Sequence, residues 1–133
     1  MAKKKCGRIL VVDDHRNWRD LLTALLEGDG HEVVTASTFH EGLGLLRAES
    51  FDAAILDMRL VDSSVYNIQG MALLGEAKRL QPLIRAVILT GYPDADQRIR
   101  ALEFYGADYY IEKAPEGVPF EVDSFSRLIF ELL

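Results

Sequence analysis

Apolar positions along the chain switch repeatedly between two periods. Short, nearly continuous apolar runs at residues 9–12, 51–56 and 86–89 have the length and β-branched content of buried strands, and residues 32–36 and 108–111 add two more. Between them the spacing becomes helical. Trp18, Leu21, Leu22, Leu25 and Leu26 fall at i, i+3, i+4, i+7 and i+8, a face that Gly28 and Gly30 end. Thr38, with Glu41 three residues on, forms a capping box for a helix that turns Phe39, Leu43 and Leu46 inward. Leu73, Ala77 and Leu80 mark a third helix, stopped by Pro82. Ala95, Ile99 and Leu102 mark a fourth, stopped by Gly106, and Val122, Phe125, Leu128, Ile129 and Leu132 a fifth. Residues 58–69 lack a period, read as polar and turn-like, and form the longest irregular segment expected inside the fold.

Five strands that each lead into a helix through a short connection require a parallel sheet covered on both faces. Right-handed crossovers leave few topologies, and the best fit is a flavodoxin-like (βα)5 three-layer α/β sandwich with strand order 2-1-3-4-5. No repeat or linker interrupts it, so residues 1–133 are expected to be one domain, with residues 1–6 a flexible tail. A net charge of -6 argues against direct nucleic-acid binding. Lys3, Lys4 and Lys5 read as a solubilising tail. A single cysteine, Cys6, leaves no internal disulfide and fits a reducing compartment, and no apolar run is long enough to span a bilayer. A cytoplasmic location is the expectation.

The chemistry lies at the strand ends. Residues 9–12 run into Asp13 and Asp14, residues 51–56 into Asp57, residues 86–89 into Thr90, and residues 108–111 reach Lys113 two positions later. In the order 2-1-3-4-5 the first and third strands are neighbours at the switch point, which gathers Asp13, Asp14 and Asp57 in one crevice. Clustered carboxylates repel one another, and a hard cation with oxygen ligands, Mg2+, is the natural compensation. Taken singly, a strand-end aspartate is more often a helix cap, Thr90 a strand residue and Lys113 a surface charge. Tyr110, singly, is a half-buried aromatic. All four landing at one rim outweighs those plain readings together. Trp18 reads as packing, and His15, His31 and His40 are too scattered for a metal site of their own; for His15, directly after Asp14, pH sensing near the crevice is the minor reading.

These motifs, in this order, resemble the receiver domain of bacterial two-component response regulators over nearly the whole chain from about Gly7. Asp13 and Asp14 resemble the family's acidic pair, Asp57 its phospho-accepting aspartate, Thr90 its switch hydroxyl, Tyr110 its switch aromatic and Lys113 its lysine. The resemblance implies that Asp57 accepts a phosphoryl group from a histidine kinase or a histidine phosphotransfer protein. It implies Mg2+ held by Asp13, Asp14, Asp57 and the backbone carbonyl of Arg59, with Thr90 and Lys113 as the other catalytic groups. A switch at Thr90 and Tyr110 would then change the surface of helix 4, strand 5 and helix 5, for a downstream protein or effector domain or for a homodimer formed on activation. Such a domain catalyses its own phosphorylation and dephosphorylation but turns over no separate substrate. Arg59 and Tyr92, two residues past the aspartate and the threonine, occupy positions that tune the lifetime of the phosphoryl state in the family.

The chain departs from the family pattern in two places. No proline follows Asp57 until Pro82, and residues 61–67 lengthen the loop; Ala114 separates Lys113 from Pro115. A cis bond after this lysine, common in the family, costs about 2.5 to 4 kcal/mol without proline, so a trans Lys113–Ala114 bond is expected. A haloacid-dehalogenase-type phosphatase would need Asp-x-Asp after the first strand. A flavodoxin-type flavin carrier would need a hydroxyl- and glycine-rich loop there, where acids repel phosphate. The strongest alternative is a pseudo-receiver that binds proteins without being phosphorylated.

Overall fold

A computed structural model describes residues 6–60, 69–114 and 118–133. Its single sheet is parallel, with β1 (Arg8–Val12), β2 (Glu32–Ala36), β3 (Ala53–Asp57), β4 (Arg85–Thr90) and β5 (Tyr109–Glu112) in the order β2-β1-β3-β4-β5. Between and after the strands run α1 (Arg16–Gly28), α2 (Phe39–Ala48), α3 (Gln69–Leu80), α4 (Ala95–Ile99) and α5 (Val122–Leu132). This is the flavodoxin-like topology that the alternating periods predict.

Strand alternation divides the core in two. Leu10, Val12, Ala54, Leu56, Ala86 and Ile88 face Leu46 of α2 and Met71, Leu73 and Leu74 of α3. Ile9, Val11, Ala53, Ile55, Val87 and Leu89 face Leu22 and Leu26 of α1 and Phe125 and Ile129 of α5. All five residues of β3 are buried, as befits the central strand. Each fully buried Leu or Ile contributes roughly 1.5–3 kcal/mol over exposure, which fixes the register of the sheet.

The predicted helix ends are present in detail. Thr38 Oγ1 accepts from Glu41 N at 3.1 Å, while the Glu41 carboxylate turns to Ser37, so the capping box is displaced by one residue. Gly30 and Gly106 take positive φ, 97° and 80°, where a side chain would be strained.

Two expectations need correction. Ala95 and Ile99 do not face inward: Ile99 is 47% exposed. After Ile99 the helix widens into a π-helical segment, Arg100–Phe104, in which Tyr105 N reaches back to Arg100 O at 3.0 Å. The wider turn shifts the phase, so Ala101 and Leu102 meet the core instead. The segment after Asp57 is also not uniformly polar, because Met58 and Leu60 are buried in the α2–α3 side of the core. The tail at 1–5, the inserted positions 61–67 and Pro115 lie outside the described residues. No described helix is long and apolar enough to cross a membrane.

Candidate functional site

Sheet register brings the chemistry together. Val12 pairs with Leu56, so Asp13 and Asp57 emerge from adjacent strands, and Asp13 N extends the β1–β2 ladder by donating to Ala36 O at 3.1 Å. Lys113 N donates to Thr90 O at 2.6 Å, carrying the β4–β5 ladder past the strand ends. Asp13, Asp57, Thr90 and Lys113 are all buried, and Asp14 is partly exposed. Lys113 Nζ lies 2.8 Å from Asp13 Oδ2 and 3.5 Å from Asp57 Oδ2. No peptide bond among the described residues is cis, so Lys113–Ala114 is trans, and the lysine still reaches the acids. The ammonium also stands 5.1 Å over the ring of Trp18, which packs edge-on against Phe120. Trp18 therefore backs the lysine as well as filling the core.

Three carboxylates outnumber the Lys113 ammonium and the Arg59 guanidinium at the rim, which leaves the crevice short of positive charge. Burial pushes the Asp57 carboxyl up to about 8 from 3.8. The charge of Asp13 pushes in the same direction, Lys113 opposes it, and Asp14 raises it further through a hydrogen bond and its charge. Asp57 Oδ2 and Asp14 Oδ1 are buried and find no hydrogen-bond donor among the described residues. Buried carboxyl groups crowded in this way are costly to ionise unless a cation meets them. One ligand atom from each of Asp13, Asp14, His15 and Asp57 lies within 4.8 Å of the others, a few tenths of an ångström beyond the roughly 4.0–4.4 Å that separates opposite donors on one ion, so small side-chain adjustments would close them on it. Hard oxygen donors with a deficit of positive charge fit Mg2+.

The crevice above Asp57 holds about 460 Å3 and is lined by His15, Trp18, Arg59, Gly91, Tyr92, Lys113 and Ala114. At about 30 Å3 per water it has room for a phosphoryl group and several waters. A larger cavity, about 670 Å3, lies where the strands begin, between Cys6, Ser50, Pro82 and Leu133, away from the acids. Over the crevice the Arg59 guanidinium stacks on the Tyr92 ring at 3.2 Å, with its Nε and Nη2 buried and lacking acceptors among the described residues. Arg59 N is 3.4 Å from Asp57 Oδ1, a long contact at the start of the turn. Thr90 Oγ1 accepts from Tyr92 N at 3.1 Å. Tyr110 lies on the other side of the sheet, packed against the α3 side of the core, and its hydroxyl accepts from Asp94 N at 3.2 Å. Asp94 caps α4 by accepting from Gln97 N, so Tyr110 holds the start of that helix. Burial pushes the Tyr110 phenol above its ordinary value.

Sequence reasoning placed one residue in the wrong role and missed another. His15 Nδ1 is 3.0 Å from Asp14 Oδ1, 3.3 Å from Asp13 Oδ1 and 3.9 Å from Asp57 Oδ2. Adjacency to Asp14 put His15 near the crevice, but as a minor pH-sensing group and not as part of the acid cluster. Gly70 presses the start of α3 against the end of β3, and a Cβ there would stand 2.0 Å from Asp57 O. Its N–H donates to Met58 O at 2.9 Å. An isolated Gly beside an aperiodic segment carries no such signal.

The chain is similar to several known proteins. The transcriptional regulatory protein ZraR of Salmonella typhimurium is 35% identical over 104 residues, 78% of this chain and 22% of ZraR. The chain thus spans about a fifth of that curated relative's length. A CheY-like response regulator receiver domain protein from Methanospirillum hungatei superposes with a TM-score of 0.80 at 32% identity, covering 96% of this chain and 94% of that one. A response regulator from Burkholderia pseudomallei, solved with a phosphorylated aspartic acid, a calcium ion and citrate, superposes with a TM-score of 0.75 at 32% identity, covering 89% and 63%. With the response regulator receiver domain model matching residues 9–117, five strands in the order 2-1-3-4-5 and an acid cluster at their ends, the chain belongs to the receiver domain family.

Proposed function

We propose that the chain is a phosphorylation-dependent signalling switch in which Asp57 accepts a phosphoryl group from a histidine kinase or a histidine phosphotransfer protein. The observation that carries this reading is the buried Asp57 Oδ2, which lacks a hydrogen-bond donor among the described residues and lies 3.5 Å from the Lys113 ammonium under an open crevice. The phosphorylated aspartic acid of the Burkholderia pseudomallei neighbour supports it.

In the transfer, a carboxylate oxygen of Asp57 forms the new O–P bond while the P–N bond to the donor imidazole breaks and its electron pair returns to the ring. Phosphoryl transfer depends mainly on positioning and charge neutralisation. Mg2+, held by Asp13, Asp14, Asp57 and the Arg59 carbonyl, would supply positive charge for the equatorial oxygens. Lys113 would move from Asp13 and Asp57 onto a phosphoryl oxygen. Thr90 Oγ, which accepts from Tyr92 N, keeps its own proton to donate to another. Drawing Thr90 inward would pull on the turn at residues 91–94, whose Asp94 N–H is held by Tyr110, and so reach α4, β5 and α5. That surface is the output proposed for an effector or a second copy. The only chemistry is self-modification, with no separate substrate turned over.

Acetyl phosphate with Mg2+, read by intact-protein mass spectrometry, tests the assignment. One phosphoryl increment is expected, absent in Asp57→Asn. Labelling that persists in the variant would sink the role of Asp57, and no labelling of either protein by small donors or a histidine phosphotransfer protein would favour a pseudo-receiver.

A further inference from the structure

The acidic crevice is not built from oxygen alone. His15 stands at the position before α1 where Ser, Thr, Asp or Asn would ordinarily cap the helix, yet its side chain makes no cap bond. Instead its ring turns toward the acids, with Nδ1 3.0 Å from Asp14 Oδ1 and 3.3 Å from Asp13 Oδ1. The backbone is held for this placement. His15 N donates to Asp13 Oδ1 at 2.9 Å, and Arg19 Nη1 donates to Asp13 O at 2.8 Å, fixing the turn between strand and helix. The ring itself is about half exposed, so it can adjust by a fraction of an ångström without disturbing the core. At the centre of the cluster, the buried Asp57 Oδ2 has no hydrogen-bond donor among the described residues, an independent sign that a ligand belongs there.

We propose that His15 Nδ1 is a nitrogen ligand to the ion held by Asp13, Asp14 and Asp57, making this crevice a mixed nitrogen–oxygen site that prefers divalent first-row transition metals to Mg2+. The inference rests on the reading that the acid cluster holds a divalent cation. Its chemistry follows from ligand type. Carboxylate and water donors serve Mg2+ well, but Mg2+ gains little from an imidazole, whereas Mn2+, Co2+ and Zn2+ gain increasingly from one. A neutral imidazole would contribute its lone pair through Nδ1 with the proton on Nε2. With the Arg59 carbonyl, three carboxylates and one imidazole make five protein donors and leave one position of an octahedral ion for a phosphoryl oxygen, so the nitrogen donor does not displace the reactant.

Direct metal binding tests this without phosphorylation. Apo protein is titrated calorimetrically with Mg2+, Mn2+ and Co2+, for the wild type and for His15→Ala, and the Mn2+ forms are examined by electron spin-echo spectroscopy for coupling to a ligand nitrogen. The expected result is one site per chain, a preference for Co2+ over Mg2+ of about a hundredfold or more, and a loss of at least about tenfold in Co2+ affinity in His15→Ala with Mg2+ affinity changed less than about twofold. Nitrogen coupling should appear in the wild type and vanish in the variant. An unchanged Co2+ to Mg2+ ratio in His15→Ala, or no nitrogen coupling in the wild type, overturns the role of His15 while leaving an all-oxygen Mg2+ site standing. Failure of every ion to bind overturns the metal reading as well. Asp14→Asn locates the site: it should weaken all three ions, and binding that survives it undiminished places the ion elsewhere and also overturns the proposal.

Discussion

Asp57→Asn should stabilise the metal-free protein, and by an amount that depends on pH. In the folded chain the Asp57 carboxyl titrates at about 8, against 3.8 without the fold, so between those values the native state carries a proton that the unfolded state has lost. Stability contributed by the protonated form is complete below about pH 4 and falls as pH rises toward 8. A gap of about four pH units, at about 1.4 kcal/mol each, caps the loss at roughly 6 kcal/mol. Water entering the open crevice and the flexibility of Lys113 relieve part of this, so a measured difference of roughly 2–4 kcal/mol is expected at pH 8. Asparagine keeps the shape and removes the charge. Urea unfolding in the presence of a chelator should therefore give a gap between variant and wild type that is smallest at about pH 4 and widens in the variant's favour as pH rises to 8. Saturating Mg2+ should reverse the order by stabilising the wild type more. Stability curves that run parallel from pH 5 to pH 8 in the chelator would refute the reasoning, because they would mean that Asp57 titrates alike in folded and unfolded chains.

Other consequences are open to measurement. Gly70→Ala places a Cβ against the Asp57 carbonyl and should cost roughly 2–4 kcal/mol in chemical denaturation, with a larger fall in phosphoryl acceptance than other α3 surface changes produce; a cost under about 0.5 kcal/mol would show that the α3 start can retreat freely. Arg59→Ala with Tyr92→Ala removes the stacked pair over the crevice and should accelerate loss of the phosphoryl group severalfold by admitting an in-line water; an unchanged rate, followed by mass spectrometry, would rule out the obstruction. Tyr110→Phe removes the acceptor of Asp94 N and should lower stability by about 1 kcal/mol while increasing hydrogen exchange at the start of α4, whereas unaltered exchange there would exclude that anchoring role.

The parts of the molecule governed by short-range pattern were legible in the sequence. Strand runs ending in Asp13, Asp57 and Thr90, the Thr38 cap and the stop at Gly106 all follow from side-chain period and backbone preference, and together they dictate the topology and the crevice. Legibility ended where one extra backbone unit or one close approach decided the outcome. A single π-helical turn after Ile99 rotates the residues beyond it, and no apolar spacing announces that turn. The Arg59–Tyr92 stack joins residues from two different loops, so sequence could identify both as large but not as partners. Adjacency to Asp14 placed His15 near the crevice, but not its ring, which could equally have served the α1 terminus or solvent.

The two-sided core has a further consequence for how a signal can travel. Along the strands, Asp57 shares the alternation of Ala53 and Ile55 on the α1–α5 side, and the Lys113 ammonium meets Trp18 of α1. Thr90 shares the alternation of Ala86 and Ile88, and Tyr110 packs with them on the α3 side. The sheet is thus a partition, with the reacting groups in one compartment and the responding groups in the other, and the described geometry connects them over its upper edge at Thr90. Parity becomes part of the code. Inserting or deleting one residue within β4 would leave every functional group present and a parallel sheet still formable, yet it would turn the hydroxyl into the wrong compartment and uncouple response from chemistry. Connections beyond the strand ends escape that constraint, because any number of residues there leaves the sides unexchanged. Parity alone therefore fixes the count from Arg85 to Thr90 but sets no length for the segment after Asp57.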